Sequence, residues 1–297
     1  MPYRTIRLSE PQFEHDHLRF LTFKSPALRG RGDVSLFVPP QAEPAHDLPL
    51  VLLLHGVYGS HWSWSMMGGA HRIARRMIEE RQIQPMVIAM PSDGLWGDGS
   101  GYVKHDVGDY DQWIMEDVVG CVTETIPALS VQSPLFIGGL SMGGFGALRL
   151  GAKYAARFTG ISAHSAITHY SQLKLFVEEP LAQYTAHNSE NELSIVYWLQ
   201  QNKESLPPLR FDCGKDDLLI EANRQLHAEL TALNIPHHYF EFAGEHNWDY
   251  WREHVRDTLL FFEEIKRQKA SHKGKRQIAN RKRQKWDSED GFQIRKK

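Results

Sequence analysis

Short apolar runs recur along this chain at residues 50–54, 86–90, 135–137, 158–162, 209–213 and 239–242. Each is short enough to be a strand buried on both faces, and the stretches between them carry helical patterns. The clearest patterns are Leu219, Ala222, Leu226, Leu230 and Leu233, then Trp251, Val255, Leu259 and Phe262. Spacing of three or four turns one helix face towards a core. This alternation predicts a mainly parallel central sheet covered by helices on both sides. Ahead of it, 18–23 and 34–38, joined through Gly30-Arg-Gly-Asp33, predict an antiparallel pair at one edge of the sheet. Residues 163–206 break the rhythm. They lack strong periodicity and carry Tyr170, Phe176, Tyr184, Tyr197 and Trp198 among polar residues, so we expect a cap-like insertion that shapes a pocket.

The run at 135–137 leads directly into Gly139-Leu-Ser141-Met-Gly143 and then into a helix-like segment through Ala147 and Leu148. A strand, a sharp turn and a helix around Gly-x-Ser-x-Gly form a nucleophile elbow, which lifts a serine hydroxyl out of the sheet to where a base can take its proton. On such a scaffold the acid and the histidine follow downstream in that order. The strand at 209–213 is followed by Gly214-Lys-Asp216-Asp217-Leu-Leu219, which puts two carboxylates at the strand's carboxyl end, where open α/β sheets hold their chemistry. The last strand is followed by Gly244-Glu-His246-Asn-Trp248, so His246 faces the same edge; His237 and His238 lie at the wrong end of that strand. His246 then removes the Ser141 proton, and one of Asp216 and Asp217 orients it while the other favours a helix N-terminus.

An oxyanion hole needs the N–H after the nucleophile, here Met142, and a second from the loop after an early strand. His55-Gly-Val-Tyr-Gly-Ser60 is that loop, with Val57 the first choice of donor and Tyr58 the second. It is not a phosphate cradle, because it has neither G-x-G-x-x-G nor a Lys-Ser/Thr pair. Tyr58, Trp62, Leu140 and Trp248 are expected to line the substrate pocket. Trp64, Met66 and Met67 belong to the same aromatic and thioether cluster, which core packing explains equally well.

Taken together, Leu54-His-Gly-Val-Tyr-Gly-Ser60, Met90-Pro-Ser-Asp-Gly94 with Gly99-Ser-Gly-Tyr102, Gly139 to Leu148, Cys213 to Leu219 and Gly244-Glu-His-Asn-Trp248 resemble the esterase family that contains esterase D (S-formylglutathione hydrolase), feruloyl and acetylxylan esterases and mycolyltransferases. The resemblance spans most of 48–262. It implies an α/β-hydrolase fold and hydrolysis of esters or thioesters through an acyl-enzyme, without metal or cofactor. It assigns the nucleophile to Ser141, the acid to Asp217 and the base to His246. Gly-Leu-Ser-Met-Gly replaces the Gly-His-Ser-Met-Gly usual in the glutathione-thioester branch, which favours a broader carboxylesterase over an S-formylglutathione hydrolase. An acyltransferase would use the same acyl-enzyme.

With 297 residues and 41% hydrophobic content the chain can form one large domain, read here as 1–265, and no apolar run approaches membrane-spanning length. The N-terminus lacks the basic-then-apolar profile of a secretory signal, which predicts a cytoplasmic location. Cys121 and Cys213 are too few for a disulfide scaffold and are expected to be reduced and buried. The formal charge of −2 hides an asymmetry: residues 266–297 hold 13 Lys and Arg against Asp287, Glu289 and Asp290. Few apolar side chains are present there to offset ordering entropy, so the tail is read as disordered or as a frayed helix extension. A solvated tail is the preferred reading. A nucleic-acid-binding arm on a nonenzymatic hydrolase-fold module is the alternative, and a complete Ser141, Asp217 and His246 set argues against it.

Overall fold

The strands are β1 (Arg4–Leu8), β2 (Leu18–Ser25), β3 (Gly30–Phe37), β4 (Leu50–Leu54), β5 (Val87–Pro91), β6 (Leu135–Leu140), β7 (Gly160–His164), β8 (Leu209–Gly214) and β9 (His238–Phe242). This computed structural model describes the backbone of residues 3–40 and 46–293 and the side chains of residues 3, 5–40 and 46–271. The strands make one sheet in the order β1-β2-β3-β5-β4-β6-β7-β8-β9. β1, β2 and β3 join antiparallel to each other and to β5, whereas β5, β4, β6, β7, β8 and β9 run parallel. From β4 the chain turns to one side, towards β5, and from β6 to the other, towards β7. A crevice therefore opens between the carboxyl ends of β4 and β6, the position at which such sheets bind ligands.

The two-residue period of the strands divides the core. Leu50, Leu52 and Leu54 pack with Ile114, Val118, Leu148 and Leu230 on one face. Val51 and Leu53 pack with Ala74, Met77, Val255 and Leu259 on the other. The helix Ile220–Ala232 takes the first face and the helix Trp248–Gln293 the second, as their apolar stripes require. These observations define the α/β arrangement that the alternation predicts, with the antiparallel pair at 18–25 and 30–37 on one side of the sheet.

Some boundaries differ from the apolar runs. β7 starts at Gly160 rather than 158, because Ala155–Arg157 forms a 3-10 turn whose closing N–H belongs to Phe158. β1 escapes a search for apolar runs: it is an edge strand whose register against β2 is irregular between Arg4 and Arg7. The segment 163–206 contains short helices, including Leu181–Thr185, Glu190–Leu193 and Ile195–Gln201; Ser189 and Ser194 accept N–H bonds at the starts of the last two. Both cysteines are free and buried. Among the described residues, no helix is long and apolar enough to cross a membrane. The helix Trp248–Gln293 passes residue 265 without a break, and buried Glu263 there accepts Arg267 Nε at 2.7 Å. The charged tail expectation from 272 onward lies outside the described side chains.

Candidate active site

Ser141 follows the last residue of β6 and precedes the helix Met142–Lys153. Its backbone is held at φ 53°, a conformation that side-chain-bearing residues rarely adopt. Its N–H donates to His164 O at 3.0 Å and its carbonyl accepts from Phe145 and Ile167. The flanking glycines are required by close approach. A Cβ on Gly139 would stand 2.1 Å from Gly143 O, and one on Gly143 2.2 Å from Leu54 O. Strain at one residue is thus maintained by dense packing around it, a pattern found at functional sites.

The loops after β8 and β9 are clamped together by Lys215 N–H to Phe242 O at 2.8 Å and Asp216 N–H to Gly244 O at 3.0 Å. This brings Asp217 under His246. His246 Nδ1 lies 3.0 and 2.9 Å from the two Asp217 oxygens, and its Nε2 lies 3.0 Å from Ser141 Oγ. With Nδ1 protonated, the ring donates to Asp217 and leaves Nε2 to accept from the serine hydroxyl. Burial pushes the Asp217 carboxyl up, but the His246 hydrogen bond and charge and the Leu219 N–H outweigh it and hold it below the usual range. Leu219 N–H reaches Asp217 Oδ1 at 2.7 Å. Asp216 is exposed, so the two neighbouring acids are separated by geometry. Phe176 stacks on the His246 ring at 5.3 Å, and Trp251 meets it edge to face at 5.0 Å.

The loop after β4 bends over Ser141. Tyr58 N–H is already used, donating to Asp98 O at 3.0 Å, whereas Val57 N–H has no acceptor among the described residues. The carbonyl of the Gly56–Val57 peptide accepts from His55 Nδ1 at 2.7 Å, which fixes the plane that carries the Val57 N–H. His55 Nε2 in turn accepts from Asp93 N–H at 2.9 Å, so the ring is neutral with its proton on Nδ1. Burial pushes His55 below the ordinary imidazole range despite the nearby Asp93 charge. The motifs at 90–94 and 99–102 form the buttress of this loop. Ser100 N–H donates to Asp93 Oδ2 at 2.7 Å, Tyr102 O–H to His55 O at 2.9 Å, and Gly101 N–H approaches Met142 Sδ at 3.3 Å.

A cavity of about 320 Å³ opens above Ser141 and His246, walled by Val57, Tyr58, Leu140, Phe176, Trp248 and Trp251, with Met67 at one side. Of the four residues expected to line a pocket, Tyr58, Leu140 and Trp248 are at this cavity. Trp62 is not: it does not line this cavity and is 41% exposed. Trp64 is buried and donates its indole N–H to Leu54 O at 2.9 Å, a core role. The residues 63–67 form a helical turn, which sends neighbouring side chains in different directions, so Met67 reaches the cavity and Trp62 does not. Of the insertion's aromatics, Phe176 reaches the cavity; Tyr184 is buried and donates to Gly99 O at 2.6 Å. A larger cavity of about 590 Å³ lies against β9, but it holds none of the Ser141, His246 and Asp217 set. Cys213 is unsuited to be a nucleophile, since burial pushes its thiol well up.

Sequence reading missed a second hydroxyl–imidazole–carboxylate chain. His164 Nδ1 lies 2.9 Å from Asp212, and its Nε2 lies 2.8 Å from Thr258 Oγ1. Arg210 donates to Asp212 at 2.8 Å, and so does Tyr250 O–H at 2.8 Å. Tyr250 stands four residues after His246, so this network fastens the segment that carries His246 to the sheet.

The architecture and the elbow define an α/β-hydrolase. Solved structures agree: the S-formylglutathione hydrolase of Agrobacterium tumefaciens matches with a TM-score of 0.72 at 18% identity, covering 89% of this chain and 99% of that one. A fluorophosphonate-binding serine hydrolase of Staphylococcus aureus matches at 0.71 and 20% identity, covering 86% and 98%. Residues 25–262 match the family described as "Putative esterase", and the chain belongs to that family of ester-hydrolysing enzymes. The acetyl esterase of Caldicellulosiruptor saccharolyticus is 27% identical over 238 residues, 74% of this chain and 85% of that protein.

Proposed function

We propose that this esterase works through an acyl-enzyme on Ser141. His246 takes the serine proton as Oγ attacks the ester carbonyl, then gives it to the leaving alcohol; Asp217 holds the imidazole tautomer and offsets its developing charge. The Val57 and Met142 N–H groups receive the oxyanion. Water, activated by the same His246, releases the acid. The observation that carries this reading is the unbroken Ser141–His246–Asp217 hydrogen-bonded chain at the floor of an open cavity.

Small acyl groups suit the cavity. Its walls are mostly apolar, and apolar walls separate one methylene from the next by only about 1 to 3 kcal/mol, so the profile should be broad across acetyl to butyryl and fall for long chains. The name of the acetyl esterase relative points the same way. A fluorophosphonate should label Ser141, as located by peptide mass spectrometry, and aryl acetates should give a burst of phenol matching one acyl group per chain. Labelling elsewhere, or turnover that survives full modification of Ser141, would overturn the assignment. A sharp optimum on S-formylglutathione would move the substrate to the thioester branch.

A further inference from the structure

Asp98 joins the two sides of the catalytic cavity. Its carbonyl accepts the Tyr58 N–H at 3.0 Å, which ties the loop after β4 to residues 97–99. Two further bonds run from the same residue to the insertion: Asp98 Oδ2 accepts the Glu178 N–H at 2.9 Å, and the Asp98 N–H donates to Glu179 Oε1 at 3.1 Å. Both pair a carboxylate with a backbone amide, a stronger bond than one between neutral groups, and they run in opposite directions. Gly97 lets the segments meet, since a Cβ there would stand 2.3 Å from Glu179 Oε1. Tyr184 O–H on Gly99 O, at 2.6 Å, makes a third tie between them.

The insertion held in this way delivers one ring to the reaction centre. Tyr170–Leu175 is a 3-10 helix closed by the Phe176 N–H on Leu173 O. Leu173 and Val177 are buried in the core, and Phe176 lies instead on His246, with ring centroids 5.3 Å apart and planes 28° from parallel. Asp217 holds Nδ1 of that imidazole, which leaves the ring a swing about the nitrogen. Phe176 and the edge-to-face Trp251 limit the swing and keep Nε2 aimed at Ser141. The contact is also electrostatic. When the imidazole takes the serine proton, positive charge develops within the distance of about 6 Å over which an aromatic face attracts a cation. An interaction that strengthens only then raises kcat rather than ground-state binding.

We propose that Phe176 is a positioning residue of the hydrolysis described above, on which this inference rests: held over His246 by the Asp98, Glu178 and Glu179 bonds, its ring aims the imidazole and stabilises the imidazolium. The full chain is assayed on an aryl acetate and an aryl butyrate, with working sites counted by fluorophosphonate labelling of Ser141 and folding followed in urea. Phe176→Leu, apolar but without a ring face, should lower kcat about tenfold on both esters, the scale of a partly desolvated cation–π contact, with KM changed by less than about twofold. Phe176→Tyr, which keeps the face, should recover most of that loss. Asp98→Ala should lower kcat several-fold by itself and by less than about twofold in the Phe176→Leu background, because both remove the same support. An unchanged kcat in Phe176→Leu, with Ser141 still labelled, would overturn this proposal alone. So would a loss confined to KM that differs between the two esters, the mark of a plain pocket wall, or equal losses in the Leu and Tyr variants. Should Phe176→Leu fail to fold, an unchanged kcat in Asp98→Ala would overturn it. Labelling away from Ser141 would overturn the hydrolytic reading and this one with it.

Discussion

Two hydroxyl–imidazole–carboxylate chains lie in this molecule with nearly the same internal geometry. Ser141 Oγ stands 3.0 Å from His246 Nε2, and Thr258 Oγ1 stands 2.8 Å from His164 Nε2; each Nδ1 lies within hydrogen-bond reach of its aspartate. Their surroundings differ. Thr258 is fully buried, and its oxygen also meets Ser162 at 2.6 Å and Arg210 at 3.4 Å, so its lone pairs and proton are all engaged. Asp212 answers to Arg210 as well as to His164. Ser141 opens onto a cavity beside the Val57 and Met142 amides. A hydroxyl becomes a nucleophile where an acyl carbon can reach it and where donors await the oxyanion. The contrast teaches that three aligned side chains are insufficient; on the function proposed above, space and backbone amides are what separate a reaction site from a structural tie.

The contrast breaks most sharply at the hydroxyls. Ser141→Ala should lower kcat by on the order of a million-fold while the protein stays folded. Thr258→Val should leave kcat/KM within about threefold and instead cost about 1 to 3 kcal/mol in urea unfolding, because it orphans buried partners. Near-normal turnover in folded Ser141→Ala would end the comparison. At the carboxylates, Asp217→Asn should lose about ten-thousand-fold in kcat through the wrong imidazole tautomer. Exposed Asp216→Asn should lose less than about tenfold. Asp212→Asn leaves the Arg210 charge buried and uncompensated, and should destabilise by about 3 to 5 kcal/mol while the folded fraction keeps activity to within about tenfold. A ten-thousand-fold loss there, with stability unchanged, would mean that the buried chain takes part in chemistry.

The proposed reaction site was legible because its constraints are local. Gly139 and Gly143 are demanded by backbone contacts under 3 Å, and the loops after β8 and β9 follow strands that the apolar runs announce. Asp216 and Asp217 were inseparable without the family resemblance, since adjacent residues on a turn look alike until the turn sends one side chain inward. The buried chain was hidden for the opposite reason. His164 and Asp212 meet through the β7–β8 register, and Thr258 arrives from a helix packed across the sheet, so no short sequence window contains the pattern. Trp62 was misplaced because spacing does not reveal the phase of a short helical turn.

The smallest separation between the two regions appears on acidification. His55, which fixes the peptide plane that carries the Val57 N–H, is held below the ordinary imidazole value of 6.5 by burial. A histidine depressed in the folded state contributes stability that is fully present above 6.5 and is lost as pH falls towards its folded value, because the unfolded chain binds the proton first. The slope for one such fully buried ring is at most about 1.4 kcal/mol per pH unit. Asp217 and Asp212 both lie below the ordinary 3.8, so what they contribute is present above 3.8 and is lost only further down. Urea midpoints should therefore fall gently from pH 6.5, then more steeply below 3.8. His55→Gln should make the first decline shallower without moving the second, because His61, His71, His105 and His237, also held low by burial, keep their share of it. Stability that rises as pH falls from 6.5 to 4, or a first decline unaltered by His55→Gln, would show that the loop after β4 does not depend on a neutral His55.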